Sequence, residues 1–137
     1  MWRNWWLSLL LAAGGCGSSE FPLAPVSGKV TVDGAPVAGA RINFETKRQG
    51  AERRSGPGSY ATTDEEGRYR LETLFGYDGA VIGPHTVWIT TLEVRELEDG
   101  TEEILVEERI PERYGDGIPF TVPEEGTEQA DFQLTTN

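Results

Sequence analysis

The chain carries few residues able to do covalent chemistry. It has one cysteine, Cys16, and one histidine, His85. Nucleophilic catalysis needs a serine or cysteine held beside a base. Cys16 sits in a glycine- and serine-rich stretch near the N-terminus, and His85 has no partner at a telling spacing. A catalytic or structural zinc site needs several His or Cys ligands, and the H-E-x-x-H pattern of zinc peptidases is missing. The 23 acidic residues are scattered over strand-like segments and do not form two matched groups of a cleft. Asp64-Glu65-Glu66 could be read as a calcium ligand set. It lacks the alternating oxygen ligands and the distal bidentate glutamate of a known calcium loop, so turn chemistry is the better reading. The sequence therefore predicts a protein that is not an enzyme, with no cofactor and no metal site. Two kinds of chemistry remain. Cys16 offers a lone thiol for modification. The aromatic residues Phe75, Tyr77 and Trp88 are candidate ligand contacts, because a sandwich fold can present aromatic rings to sugar rings. The competing reading of those three is core and edge packing.

Composition narrows the partners. The 137 residues carry a formal net charge of -11. Such a surface repels nucleic acid and anionic lipid head groups, so neither is expected as a partner. Charged residues at 26% beside hydrophobic residues at 37% suit a small globular domain rather than a disordered chain. The first residues differ in kind. Arg3 precedes an apolar run from Trp5 to Ala13, followed by Gly14-Gly15-Cys16. The run is far shorter than the roughly 20 residues of a membrane-spanning helix, but suits the core of a signal peptide. The arrangement resembles a bacterial lipoprotein signal, in which a peptidase cuts just before a cysteine that carries lipid. Gly14 and Gly15 match its small positions, while Ala13 stands where leucine is usual. The alternative is a plain secretory signal with an incidental cysteine. Cys16 has no partner for an intramolecular disulfide, and lipidation gives that thiol a use. Residues 1–15 are thus expected to be a signal peptide, 16–25 a lipidated cysteine and flexible tether, and 26–137 one folded domain.

The elements that must position any site are strands. Val30 and Val32 alternate with polar neighbours, as do Ile42 and Phe44, and Asp33-Gly34-Ala35-Pro36 between them reads as a tight turn. Residues 47–58 read as a basic surface loop. Ser59–Thr62 and Arg68–Glu72 read as two arms of a hairpin around Asp64–Gly67. There Asp64 accepts backbone N–H bonds and Gly67 takes a left-handed conformation. Val87 and Ile89 are expected on one face of the next strand and Trp88 on the other, with His85 as a polar residue at the strand's start. Residues 93–109 read as an acidic hairpin with a two-residue Asp99-Gly100 turn, an extension beyond the main body whose charge protects its edges. A weak cation site there is the lesser reading. Ala130, Phe132 and Leu134 form a last inward row. No helical period occurs outside the signal, so the fold class is all-β.

The phrases Val26-Ser-Gly-Lys-Val-Thr-Val32, Pro36-Val-Ala-Gly-Ala-Arg-Ile42 and Thr63-Asp-Glu-Glu-Gly-Arg-Tyr69 resemble those of the carboxypeptidase regulatory-like domain family. The resemblance covers residues 26 to 92 well and the C-terminal third in outline. It implies a Greek-key β-sandwich of about seven strands, transthyretin-like or Ig-like, here with an extra acidic hairpin. It also implies a non-catalytic module. The function expected is a lipid-anchored cell-envelope protein serving as a structural or interaction module, held to a membrane by its lipid. Its expected partners are envelope proteins or glycans, and a carbohydrate-binding module is the alternative.

Overall fold

The computed structural model describes residues 21–47 and 56–137. Cys16, the signal segment, the first part of the tether and most of the basic loop lie outside the described residues. The described chain is an all-β sandwich. Its strands in order are β1 (Leu23–Ala24), β2 (Ser27–Val32), β3 (Ala35–Pro36), β4 (Arg41–Thr46), β5 (Ser59–Thr62), β6 (Arg68–Arg70) and β7 (Glu72–Thr73). There follow β8 (Ala80–Val81), β9 (Gly83–Thr90), β10 (Glu93–Glu96), β11 (Glu102–Val106), β12 (Ile118–Val122) and β13 (Phe132–Leu134), with one 3-10 turn at Glu112–Tyr114.

One sheet has the order β12-β9-β4-β5-β7 and is antiparallel throughout. The other is built on β2, which pairs with β13 in parallel and with β3 and β6 antiparallel. Period-two alternation turns one face of each sheet inward. Ile42, Phe44 and Val87 from the first sheet meet Val30, Tyr69, Phe132 and Leu134 from the second, all buried in one core. Phe44 sits at its centre, with the rings of Phe120 at 5.5 Å, His85 at 5.6 Å and Phe132 at 6.1 Å. These are spacings at which tilted aromatic pairs attract.

Several turns act differently from what their sequences imply. Asp33 and Gly34 both have positive φ, 49° and 83°, the geometry of a two-residue hairpin turn. The returning strand is only the two residues of β3. Proline at position 36 has no N–H to extend the ladder, and the chain then crosses to the opposite sheet before β4 begins. The Asp64–Gly67 turn, by contrast, is not a hairpin. β5 belongs to the first sheet and β6 pairs with β2 in the second, so this turn carries the chain across the sandwich. The tip of the acidic hairpin holds three residues rather than two. Leu97 N–H donates to Thr101 O at 2.8 Å and Gly100 N–H to Leu97 O at 2.9 Å, enclosing Glu98, Asp99 and Gly100. A turn closed by a final glycine matches strand twist with three residues as well as two.

The folded unit also begins earlier than Val26. Leu23 and Ala24 pair with Val81 and Ala80, and Ala24 is buried. Residues expected in the tether are thus part of the body. Gly28 of the first phrase serves a close approach: a Cβ there would strike the carbonyl of Ala130, whose N–H donates to Ser27 O at 3.0 Å.

Candidate functional site

Alternation along β9 that buries Val87 turns Trp88 outward, where its side of the sheet is open. The register then decides its neighbours. Trp88 stands opposite Asn43 on β4, Asn43 opposite Tyr60 on β5, and Tyr60 opposite Glu72 on β7. Arg41 lies between Thr90 and Thr62 in the next row of the same face. Apart from Glu72, these rows, with Leu74 and Gly58, line a groove of about 470 Å³. Trp88 is 38% exposed and Tyr60 41%. They flank β4 from two strand spacings apart, roughly 10 Å between backbones. The Trp88 indole N–H donates to Glu45 Oε2 at 3.3 Å, and the ring lies beside Gly117, where an added Cβ would come within 3.4 Å of it. The Arg41 guanidinium donates to the Leu92 carbonyl and lies 3.7 Å from Glu93, closing the end of the groove nearest the hairpin. Two exposed rings with an amide between them offer stacking surfaces and directional hydrogen bonds together.

Of the aromatic residues singled out in the sequence, only Trp88 lines this groove. Phe75 and Tyr77 are exposed on the turn after β7 and lie outside its lining. Tyr60 and Asn43 take their place. The sequence contained half of that information: alternation in Ser59-Tyr60-Ala61-Thr62 turns Tyr60 away from buried Ser59. Its position beside Trp88 depends on a β5-β4-β9 register that no local pattern encodes.

His85 is not a polar strand end. It lies within β9 and is 1% exposed, packed on Phe44. Its Nδ1 donates to Gly83 O at 2.9 Å, and its Nε2 has no hydrogen-bond partner. Burial lowers its pKa, with the Gly83 bond opposing, so the ring is neutral at neutral pH. The chain's single histidine is therefore committed to the core. Among the described residues, no cluster of three or more His, Cys, Asp or Glu could hold a metal ion.

The Thr63-Asp-x-x-Gly-x-Tyr69 phrase is a set of fasteners. Thr63 Oγ1 donates to Val37 O at 2.6 Å and accepts from Ala40 N–H at 2.8 Å, gripping the crossover before β4. Asp64 Oδ1 accepts from Glu66 and Arg68 N–H, each at 2.9 Å. Gly67 has φ 76°, and its carbonyl accepts from Val30 N–H at 2.8 Å. Tyr69 donates to Ala130 O at 2.5 Å, and burial, with Asp131 nearby, raises its pKa well above the ordinary phenol value.

One carboxylate of the acidic hairpin does more than carry surface charge. Glu108 ties the root of the β10–β11 hairpin to the sandwich. Its Oε1 accepts from Thr91 N–H at 2.8 Å, Ile110 N–H at 3.1 Å and the Thr91 hydroxyl at 3.1 Å, while Oε2 accepts from the Thr90 hydroxyl. Burial pushes its pKa up, but the bonds from Thr90, Thr91 and Ile110 together outweigh this and leave it lowered. A depressed folded-state pKa stabilises above the unfolded carboxyl value and is lost as pH falls through the folded one. Hydrogen-exchange protection of the Thr91 and Ile110 amides is therefore expected to fall several-fold on acidification below about pH 4. In Glu108→Gln it should be low from the start and show little of that pH dependence. Unchanged protection in the variant would remove Glu108 from the hairpin's attachment.

Comparison with known proteins places the chain in one family. No curated protein matches the chain. Among solved structures, a 9R-lipoxygenase from Cyanothece PCC8801 is matched at 13% identity with a TM-score of 0.39. The match covers 83% of this chain and 16% of that one, so the chain spans about a sixth of the lipoxygenase. A family model described as a domain of unknown function (DUF6795) matches residues 26–100, which hold both sandwich-crossing turns and the whole Trp88–Asn43–Tyr60 row. That is more than half of the sequence, and the chain belongs to the DUF6795 family.

Proposed function

We propose that the chain is a non-catalytic, lipid-anchored protein of the bacterial cell envelope whose β-sandwich serves as a binding module. Its binding surface in this reading is the outer face of the five-stranded sheet. The observation that carries it is the groove in which Trp88 and Tyr60 flank Asn43. Rings left open on a rigid sheet are available to a ligand without rearrangement, which lowers the entropic cost of binding. The non-catalytic part is supported by the burial of His85 and by the resemblance to carboxypeptidase regulatory-like modules. The anchor is supported by the Arg3-to-Cys16 signal pattern.

A carbohydrate-binding reading is favoured by one specific feature. The two rings are spaced by an intervening strand that presents an amide, Asn43, so a pyranose ring can stack on an aromatic face while its hydroxyls bond to the sheet. The test is a glycan array followed by titration with the full chain in non-ionic detergent. A bound glycan should lose about five- to tenfold in affinity on Trp88→Ala and on Tyr60→Ala, from a stacking contribution of about 1 kcal/mol per ring. Phe75→Ala should leave it unchanged. Full binding by the Trp88→Ala, Tyr60→Ala double variant would remove the groove as the binding surface. An array without hits would remove the sugar reading. Photo-cross-linking from position 60 in cells would then look for an envelope protein at the same face.

A further inference from the structure

Every residue from 92 to 109 is exposed, and β10 and β11 pair only with each other. A lone two-stranded hairpin is marginally stable in water unless another surface covers one of its faces. This one carries Val94 at 48%, Ile104 at 54% and Leu105 at 52% exposure. Its two faces are charged differently. Arg95 stands opposite Glu103 and forms an ion pair with it, so that face is compensated within the hairpin. On the other face, Val94 stands opposite Ile104, and the next pair is Glu96 opposite Glu102. Like charges placed directly across a ladder are destabilising. No cation among the described residues pairs with either. An apolar pair therefore lies beside two facing carboxylates, and the sandwich covers neither.

We propose that the face of the hairpin formed by Val94, Ile104, Glu96 and Glu102 is a docking surface for a partner protein segment that carries lysine or arginine alongside apolar side chains. Charge complementarity selects this occupant. The apolar pair requires apolar atoms to cover it, and the facing carboxylates require a cation within a few ångströms. A second copy docked face to face brings the same carboxylates, and its basic loop at 47–58 has no valine, leucine, isoleucine or aromatic side chain to cover Val94 and Ile104. The surface is separate from the Trp88–Tyr60 groove, and the inference stands whether or not that groove binds sugar.

The probe is a fluorescein-labelled octapeptide of alternating lysine and valine, titrated by anisotropy with the full chain in non-ionic detergent. The double reversal Glu96→Lys, Glu102→Lys should weaken binding at least tenfold. The same change of charge at Glu124 and Glu125, in the turn after β12, should weaken it less than twofold. Ile104→Ser, which leaves charge untouched, should weaken it about fivefold, and Trp88→Ala should not change it. The Glu96→Lys, Glu102→Lys variant should gain binding to a glutamate–valine octapeptide, a gain that misfolding cannot produce. Equal losses from the two charge reversals would reduce the effect to net charge and overturn the proposal. So would an inert Ile104→Ser, loss on Trp88→Ala, displacement of the peptide by millimolar calcium, or no binding of the lysine peptide at all. Concentration-dependent self-association of the full chain that Ile104→Ser abolishes would assign the face to a second copy and overturn it equally.

Discussion

Gly67→Val should lower the urea midpoint of unfolding by about 1–3 M. Two costs combine. Gly67 has φ 76°, where a β-branched residue is strained by about 1–3 kcal/mol. In addition, its Cβ would come within 2.6 Å of the Val30 carbonyl and 3.2 Å of Val37 N, both backbone atoms of segments it crosses. Overpacking against backbone adds about 1–3 kcal/mol. A total of roughly 2–6 kcal/mol, divided by a urea slope of about 2 kcal/mol/M, gives the shift. Asp64→Ala removes two acceptor contacts from an exposed turn and should cost about 1 kcal/mol. The ordering of the two variants is the informative result. Equal and negligible losses would mean that the crossing at Asp64–Gly67 does not hold the sheets together.

That turn also marks where sequence legibility ends. Period-two alternation identifies inward residues because it is local: Val30, Ile42, Phe44, Tyr69, Leu71, Val87, Phe132 and Leu134 are all buried. What alternation lacks is the identity of the partner strand. A turn with aspartate first and glycine last reverses the chain equally well within one sheet or between two. Only the bonds made by its flanks distinguish these cases: Thr63 to Val37 and Ala40 on one side, and β6 to β2 on the other. The same limit hid the groove. Tyr60 and Trp88 are 28 positions apart and come to flank Asn43 on β4 through register alone. His85 was illegible for a related reason. Its neighbours in sequence are proline and threonine, while the apolar walls that bury it come from Phe44 and Phe120 on other strands. Glu108 stands in a run of acids, and nothing in that run separates the one carboxylate that gathers Thr90, Thr91 and Ile110 from its solvated neighbours.

The second large effect concerns the proposed anchor. Cys16→Ser should reduce incorporation of labelled fatty acid to background and move the protein from the detergent phase to the aqueous phase. A single acyl chain gives only marginal membrane binding, whereas two or more hold a protein stably, each buried methylene contributing about 0.8 kcal/mol. A diacylglyceryl thioether with an additional N-acyl chain meets that condition only if residue 16 offers a sulfur, and a serine hydroxyl does not. No other cysteine can substitute for it. The body of the domain starts at Leu23, where β1 is tied to Val81. The reach from residue 16 to the sandwich is then at most about 25 Å of extended chain. An anchored domain would stand close to the bilayer, with its acidic surface repelled from anionic head groups and both candidate faces free to meet neighbours in the envelope. Aqueous partitioning of the unmodified chain, or full labelling of the serine variant, would remove the anchor and leave a plain secretory signal as the reading of residues 1–15.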